Sequence, residues 1–172
     1  LYYIKMKNIF KLNLTLPSEV KLCTKENYLF AKGPLGSICL DISFLSSSVF
    51  LSGNKKTQYS SFFRLFQKAL IGINLGFVTR LVFVGVDFTI EAIEKDFLKL
   101  KLGFSHFVYV KIPPHINIVS PKKSLLVLKS IDEQLLKEFC SKLCAFKAPN
   151  IYKGKGVLYK NQVLIIKETK KK

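Results

Sequence analysis

Apolar and polar residues alternate from Lys11 to Leu16, the period of a strand with one buried face. Tyr28 to Lys32 and Ser37 to Ile42 flank the turn Gly33-Pro34-Leu35-Gly36, and Val49 to Ser52 offers another short strand. After Gly53 and the pair Lys55-Lys56 the period changes. Phe62, Leu65, Phe66, Ala69, Leu70 and Ile73 recur at three and four, which predicts an amphipathic helix ending at Gly76.

The second half repeats that order. Strands are predicted at Phe77 to Val86, Phe88 to Ile93, Leu98 to Phe104, Phe107 to Ile112, Ile116 to Val119 and Leu125 to Lys129. A helix follows, announced by Ser130-Ile131-Asp132-Glu133 with the spacing of a capping box. Its buried stripe is Leu135, Leu136, Phe139, Cys140 and Leu143. Strands followed by a packed helix, twice over, predict an α+β chain of two tandem small domains of related fold. Each has an antiparallel-rich sheet and one covering helix. The boundary falls near Gly76, giving an N-terminal domain over 1–76 and a C-terminal one over 77–172.

The stretch from Lys147 to Lys172 breaks the pattern. Pro149 stops the helix, Lys153-Gly154-Lys155-Gly156 follows, Val163 to Ile166 is predicted as a short strand, and a lysine tail comes last. Lysines here face a single acid, Glu168, so the local field favours phosphate.

Charge extends that picture to the whole molecule. The 172 residues include 28 Lys and Arg against 11 Asp and Glu, a formal net charge of +17, while 49% are apolar and 13% aromatic. The apolar share is enough for a core and excludes the composition of disorder. The charge calls for a polyanionic partner, nucleic acid before an anionic membrane surface. Only Arg64 and Arg80 are arginine, so the cations are point charges suited to phosphate and not forks suited to base edges. Ala69 to Val86, the longest apolar stretch, contains Asn74, Thr79 and Arg80 and is interrupted by glycines, so membrane insertion is not expected.

Catalytic chemistry finds little support. Cys23, Cys39, Cys140 and Cys144 form no CxxC pair and have no histidine at zinc-finger spacing, so free thiols and no metal are expected. Ser105 beside His106 lacks a GxSxG turn and an acid to complete a triad, and neither a cofactor nor a small-molecule substrate is implied. Asp87, Glu91, Glu94 and Asp96 are paired carboxylates of a kind that can hold magnesium in a nuclease; on a hairpin they read better as a solvated edge. Gly33-x-x-Gly36 lies between strands, where a KH-type clamp needs helices, and is read as a hairpin turn.

The run Tyr152-Lys153-Gly154-Lys155-Gly156-Val157-Leu158-Tyr159, with Lys167-Glu168-Thr169-Lys170-Lys171-Lys172, resembles the C-terminal signature of the bacterial-type ribosomal protein L-six family. Leu102-Gly103-Phe104-Ser105-His106 is similar to another of its motifs, Gly33-Pro34-Leu35-Gly36 resembles its early turn, Val84-Gly85-Val86 the opening of its second domain, and Asp132 the start of its last helix. The resemblance spans Leu14 to Lys172. Leu35, Asp87-Phe88-Thr89-Ile90 and Phe146-Lys147-Ala148-Pro149 depart from the family pattern, and each departure removes an expected meeting with RNA.

The resemblance implies a structural constituent of the large ribosomal subunit, bound to its ribosomal RNA near the sarcin-ricin loop and the translation-factor site, among neighbouring ribosomal proteins. A free-standing assembly factor of the same fold is the alternative. The expected RNA-binding residues are Ser105 and His106 in one turn; Lys147, Tyr152, Lys153, Gly154, Lys155 and Gly156; Tyr159 and Lys160; and Lys167, Lys170, Lys171 and Lys172. Glycines admit the backbone to phosphate, lysines neutralise it, and tyrosines stack on bases or sugars. Lys, Ile, Phe, Leu and Asn enrichment without Trp suits an A+T-rich genome, and a mitochondrial, or at least organellar, origin is expected. No Arg-rich transit segment is visible in Leu1 to Leu16, as synthesis inside the organelle or prior removal would explain.

Overall fold

The structure, a computed structural model, describes residues 19–42 and 55–168, with side chains in the first helix from residue 61 onward. The strands expected at Lys11 to Leu16 and Val49 to Ser52, and Lys170 to Lys172, lie outside the described residues. The chain divides into two compact units, Leu1–Leu75 and Gly76–Lys172. Among the described residues the fold is α+β, with two helices and antiparallel sheets.

In the first unit, β1 (Lys21–Lys25), β2 (Tyr28–Lys32) and β3 (Ser37–Asp41) form an antiparallel meander in the order β1-β2-β3. Strand β1 has no counterpart in the sequence reading. Lysines at both ends mask its alternation, and its turn to β2 uses Glu26 at a φ of 50° where a glycine or asparagine would have signalled it. One sheet face carries Leu22, Leu29 and Leu40 against Phe62, Phe66 and Leu70 of helix α1 (Lys55–Asn74). Phe62 and Phe66 stack at 6.2 Å. Leu65, expected in this stripe, is 50% exposed and lies outside the row Phe62, Phe66 and Leu70 that packs on the sheet. The helix ends as expected, with Gly76 at a φ of 72°. Gly33-Pro34-Leu35-Gly36 is a hairpin turn docked on that end: Leu35 N donates to the Ile73 carbonyl at 3.2 Å, and a Cβ on Gly33 would collide with the Ile73 side chain.

The second unit contains β4 (Phe77–Val84), β5 (Phe88–Ile93), β6 (Phe97–Leu102), β7 (Val108–Lys111), β8 (Ile116–Lys122), β9 (Leu125–Ser130), α2 (Glu133–Phe146) and β10 (Gly156–Tyr159). A four-stranded sheet runs β10-β4-β9-β8, and a separate three-stranded meander runs β5-β6-β7. Alternation turns Leu81 and Phe83, Leu126 and Leu128, and Val157 inward, where they join Leu136, Phe139, Cys140 and Leu143 of α2. Leu98, Leu100 and Leu102 of the meander complete the same core.

Helix α2 starts later than a box anchored on Ser130 requires. Asp132 is the N-cap, its carboxylate accepting from Gln134 N at 2.8 Å, while Ser130 ends β9 with its hydroxyl accepting from Asp132 N at 3.2 Å. Ser130 pairs with both Phe77 and Ile116, so the sheet holds it extended. Leu135 lies on the flank of the helix and is partly exposed.

Strand β10 was hidden because it opens with glycine and spans only Gly156–Tyr159. It pairs antiparallel with β4, from Gly156 opposite Val84 to Tyr159 opposite Leu81. The strand expected at Val163 to Ile166 does not form. After Tyr159 the chain turns, Gln162 N donating to the Tyr159 carbonyl at 2.9 Å, and leaves the sheet with Val163 and Ile165 exposed.

Candidate nucleic-acid interface

The basic segment is built on the end of α2. Lys147 is the C-cap residue, and its carbonyl accepts from Val157 N at 3.1 Å, so the loop between them is closed at its base. Within it Asn150 acts as the hub. Its N donates to the Lys155 carbonyl at 2.9 Å, its carbonyl accepts from Gly154 N at 2.8 Å, and its side-chain oxygen accepts from the N of Tyr152 (2.8 Å) and Lys153 (3.2 Å). This Asx turn presents Lys153 and Lys155 to solvent on either side of Gly154. Asn150 escaped the sequence reading although Pro149-Asn150 carries a turn signal.

The two glycines have separate reasons to be there. Gly154 takes a φ of 68° to close the turn. Gly156 has a φ of 152°, and a Cβ there would lie 2.6 Å from Pro149 Cα. Its small size is required by the chain's own packing before any approach to phosphate.

Gly103 to Phe107 form the turn between β6 and β7, with Ser105 and His106 exposed at its tip. Lys147 joins this turn to the loop. Its backbone pairs with β10 while its ammonium lies 4.5 Å from the Phe104 ring centroid, and Phe104 stacks on His106 at 5.7 Å and 17°. Ser105, His106, Lys147, Tyr152, Lys153, Gly154, Lys155 and Gly156 thus belong to one connected arrangement.

Tyr159 stands apart, about 10 Å along β10 from Gly156 at the usual rise per strand residue, and Lys160 follows it. Tyr159 is half-buried against the core and shares a hydrogen bond with the Cys144 thiol, so it does not flank the loop in the way that exposed Tyr152 does. Burial pushes the Tyr159 hydroxyl up, with further contributions from Cys144 and Cys140. Burial also raises the Cys144 thiol and lifts Cys140 to about 11, so both thiols are protonated at neutral pH. Lys160 is exposed, its N donating to the Arg80 carbonyl at 3.0 Å, and with Arg80 and Asn161 it lines a shallow cleft. Sequence spacing could not bring in Arg80, because only the pairing of β10 with β4 places it beside Lys160. Lys167 is held by its N donating to the Ile151 carbonyl at 3.1 Å.

The acids sit around the β5–β6 hairpin. Asp87 pairs with Lys101 at 3.5 Å, and Glu91 accepts from the Thr89 hydroxyl at 2.8 Å. Among the described residues, no three His, Cys, Asp or Glu side chains gather in a metal-holding group, and no helix is long and apolar enough to cross a membrane.

Residues 84–160, which include both the turn and the loop, match the family profile described as Ribosomal protein L6. The chain is 33% identical to the Large ribosomal subunit protein uL6 of Herminiimonas arsenicoxydans over 178 residues, covering 97% of this chain and 100% of the relative. It is 32% identical to the protein of that name from Thioalkalivibrio sulfidiphilus over 179 residues, and 32% identical to that of Dechloromonas aromatica over 178, with the same coverage of both chains in each case. Identity at this level, collinear across both units and the basic loop, means that the chain belongs to the ribosomal protein L6 family.

Proposed function

We propose that the chain is a structural constituent of the large subunit of an organellar, mitochondrial ribosome. It binds large-subunit ribosomal RNA near the sarcin-ricin loop and translation-factor site, beside neighbouring ribosomal proteins, and performs no chemistry itself. The observation that carries this reading is the full-length identity to relatives whose name is Large ribosomal subunit protein uL6. The net charge of +17 and the hydrogen-bonded presentation of Lys153 and Lys155 support RNA as the ligand. Those relatives are bacterial; the organellar assignment rests on composition. In this reading the domain over 77–172 meets the RNA, through Ser105, His106, Lys147, Tyr152 to Gly156, Tyr159, Lys160 and the lysines from Lys167 on, while that over 1–76 has no RNA-binding residue assigned.

Quantitative mass spectrometry across a sucrose gradient of organellar lysate tests the assignment. Stoichiometric migration with mature large subunits is the expected result, and migration only with precursor particles would replace the structural role by an assembly role. At the site, Lys153→Ala with Lys155→Ala should weaken RNA binding and lower its salt slope by about one for each phosphate that is no longer neutralised. An unchanged slope would remove the loop from the interface.

A further inference from the structure

Strand register places on the solvent face of the β5-β6-β7 meander a group of side chains that the basic loop does not use. On β6 the outward residues are Phe97, Lys99 and Lys101; on β7 and its leading turn they are Lys111, Tyr109 and Phe107. Phe97 is paired with Lys111, and Lys99 with Tyr109. Each of these cross-strand pairs therefore sets an aromatic ring beside a cation.

The three rings are large and open, with exposures of 45% for Phe97, 43% for Phe107 and 59% for Tyr109. Leu98, Leu100 and Leu102 on the opposite face of β6 already fill the core, so these rings do nothing for it. Lys99 places its ammonium 4.3 Å from the Phe107 centroid and 5.8 Å from that of Tyr109. The ammonium covers a π-face of Phe107 that a planar ligand takes when the lysine moves aside. Along the β5 margin Asp87 engages Lys101, and Glu91 keeps its charge while accepting from the Thr89 hydroxyl; Lys99 and Lys111 are the cations paired across the strands with Tyr109 and Phe97.

We infer that this face is a stacking platform for unpaired RNA, separate from the basic loop. Bases stack on Phe97, Phe107 and Tyr109, while Lys99 leaves the ring it covers and meets the phosphate between two bases. A sheet face bearing aromatics at alternate positions, with lysines among them, has the chemistry that recognises single strands: sequence-tolerant π-faces and mobile point charges. An apolar protein partner would leave Lys99 and Lys111 desolvated, whereas RNA neutralises them. The inference rests on the reading of the chain as an RNA-binding protein and adds a second surface of different physical character.

The test uses the full chain, a fluorescein-labelled oligouridine decamer and an RNA duplex of equal length, with binding followed by anisotropy across a salt series. Phe97→Ser combined with Tyr109→Ser is expected to weaken decamer binding about tenfold or more, with an unchanged salt slope because no cation is removed. Duplex binding should stay as it is. Lys153→Ala with Lys155→Ala should instead lower the slope for both probes. If the serine pair binds the decamer as the parent does while the alanine pair is impaired, the platform is overturned and the basic loop stands. If only the serine pair is impaired, the platform stands and the loop loses its assignment. A second measurement needs no variant: photocrosslinking the parent chain to 5-iodouridine decamer should label Phe97, Phe107 or Tyr109, and labelling confined to Tyr152 would overturn the platform.

Discussion

The ammonium of Lys147 caps the Phe104 ring at 4.5 Å, tying the end of helix α2 to the turn between β6 and β7. Since Phe104 also stacks on His106, the cation bears on the tip of that turn. Replacing Lys147 by Gln should reduce the salt slope of RNA binding by about one and cost about 0.5–1 kcal/mol of stability, because glutamine carries no charge for the ring to attract. Anisotropy titrations and urea denaturation measure the two effects.

Gly156→Ala should destabilise the second unit by about 2 kcal/mol or more, through its backbone angle and its collision with Pro149. Gly154→Ala meets only Ile166 Cδ1 at 3.4 Å, and should cost about 1 kcal/mol for the left-handed backbone alone. Urea midpoints that rank the two in the opposite order would refute this account of the loop.

For the start of α2, Asp132→Ala should cost about 1 kcal/mol by leaving Gln134 N without its acceptor. Ser130→Ala removes only the 3.2 Å bond from Asp132 N and should cost less. A capping box anchored on Ser130 predicts the reverse ranking, which thermal unfolding of the two variants would reveal.

In α1 the contrast is between adjacent residues. Phe66→Ala should cost about 3–5 kcal/mol, because Phe66 is fully buried. Half-exposed Leu65 changed to Ala should move stability by no more than about 0.5 kcal/mol. Equal effects would mean that Leu65 is packed after all.

Thiol chemistry should separate the cysteines. Cys23 and Cys39 are exposed on either side of Phe30, and iodoacetamide should alkylate both in the native protein at neutral pH, while buried Cys140 should react only on unfolding. The Cys140 thiol titrates near 11 when folded against an ordinary 9. Its contribution to stability is therefore whole below pH 9 and is lost as the pH rises through 11, since the unfolded chain gives up its proton first. Denaturation at pH 8 and pH 10.5 should show the fall, and Cys140→Ala should reduce it.

Both helices were readable in the chain because their stripes, Phe62 to Ile73 and Leu136 to Leu143, are long enough for the period of 3.6 to stand out. The hairpins from Tyr28 to Ile42 and from Phe88 to Leu102 were readable from their alternation and turns. Strands β1 and β10 were not: each is short, and each owes its existence to a neighbour's edge rather than to its own composition. The same limit applies at the site. Lys153, Lys155 and Tyr152 could be picked from local sequence, but Arg80 beside Lys160, the inward turn of Tyr159, and the alternation of Phe97, Lys99, Tyr109 and Lys111 depend on cross-strand register, which no local window contains.

Strand β10 follows every other element of its unit in the chain, yet it fills the place beside β4. During synthesis, β4 consequently waits with an unsatisfied edge while more than seventy further residues are made, and the loop bearing Lys153 and Lys155 emerges immediately before the strand that closes it. A nascent or prematurely terminated chain thus leaves the loop of Lys153 and Lys155 unclosed and exposes an adhesive backbone edge. Completion of the sheet and closure of that loop are therefore one event, which translation order places last among the elements of the unit.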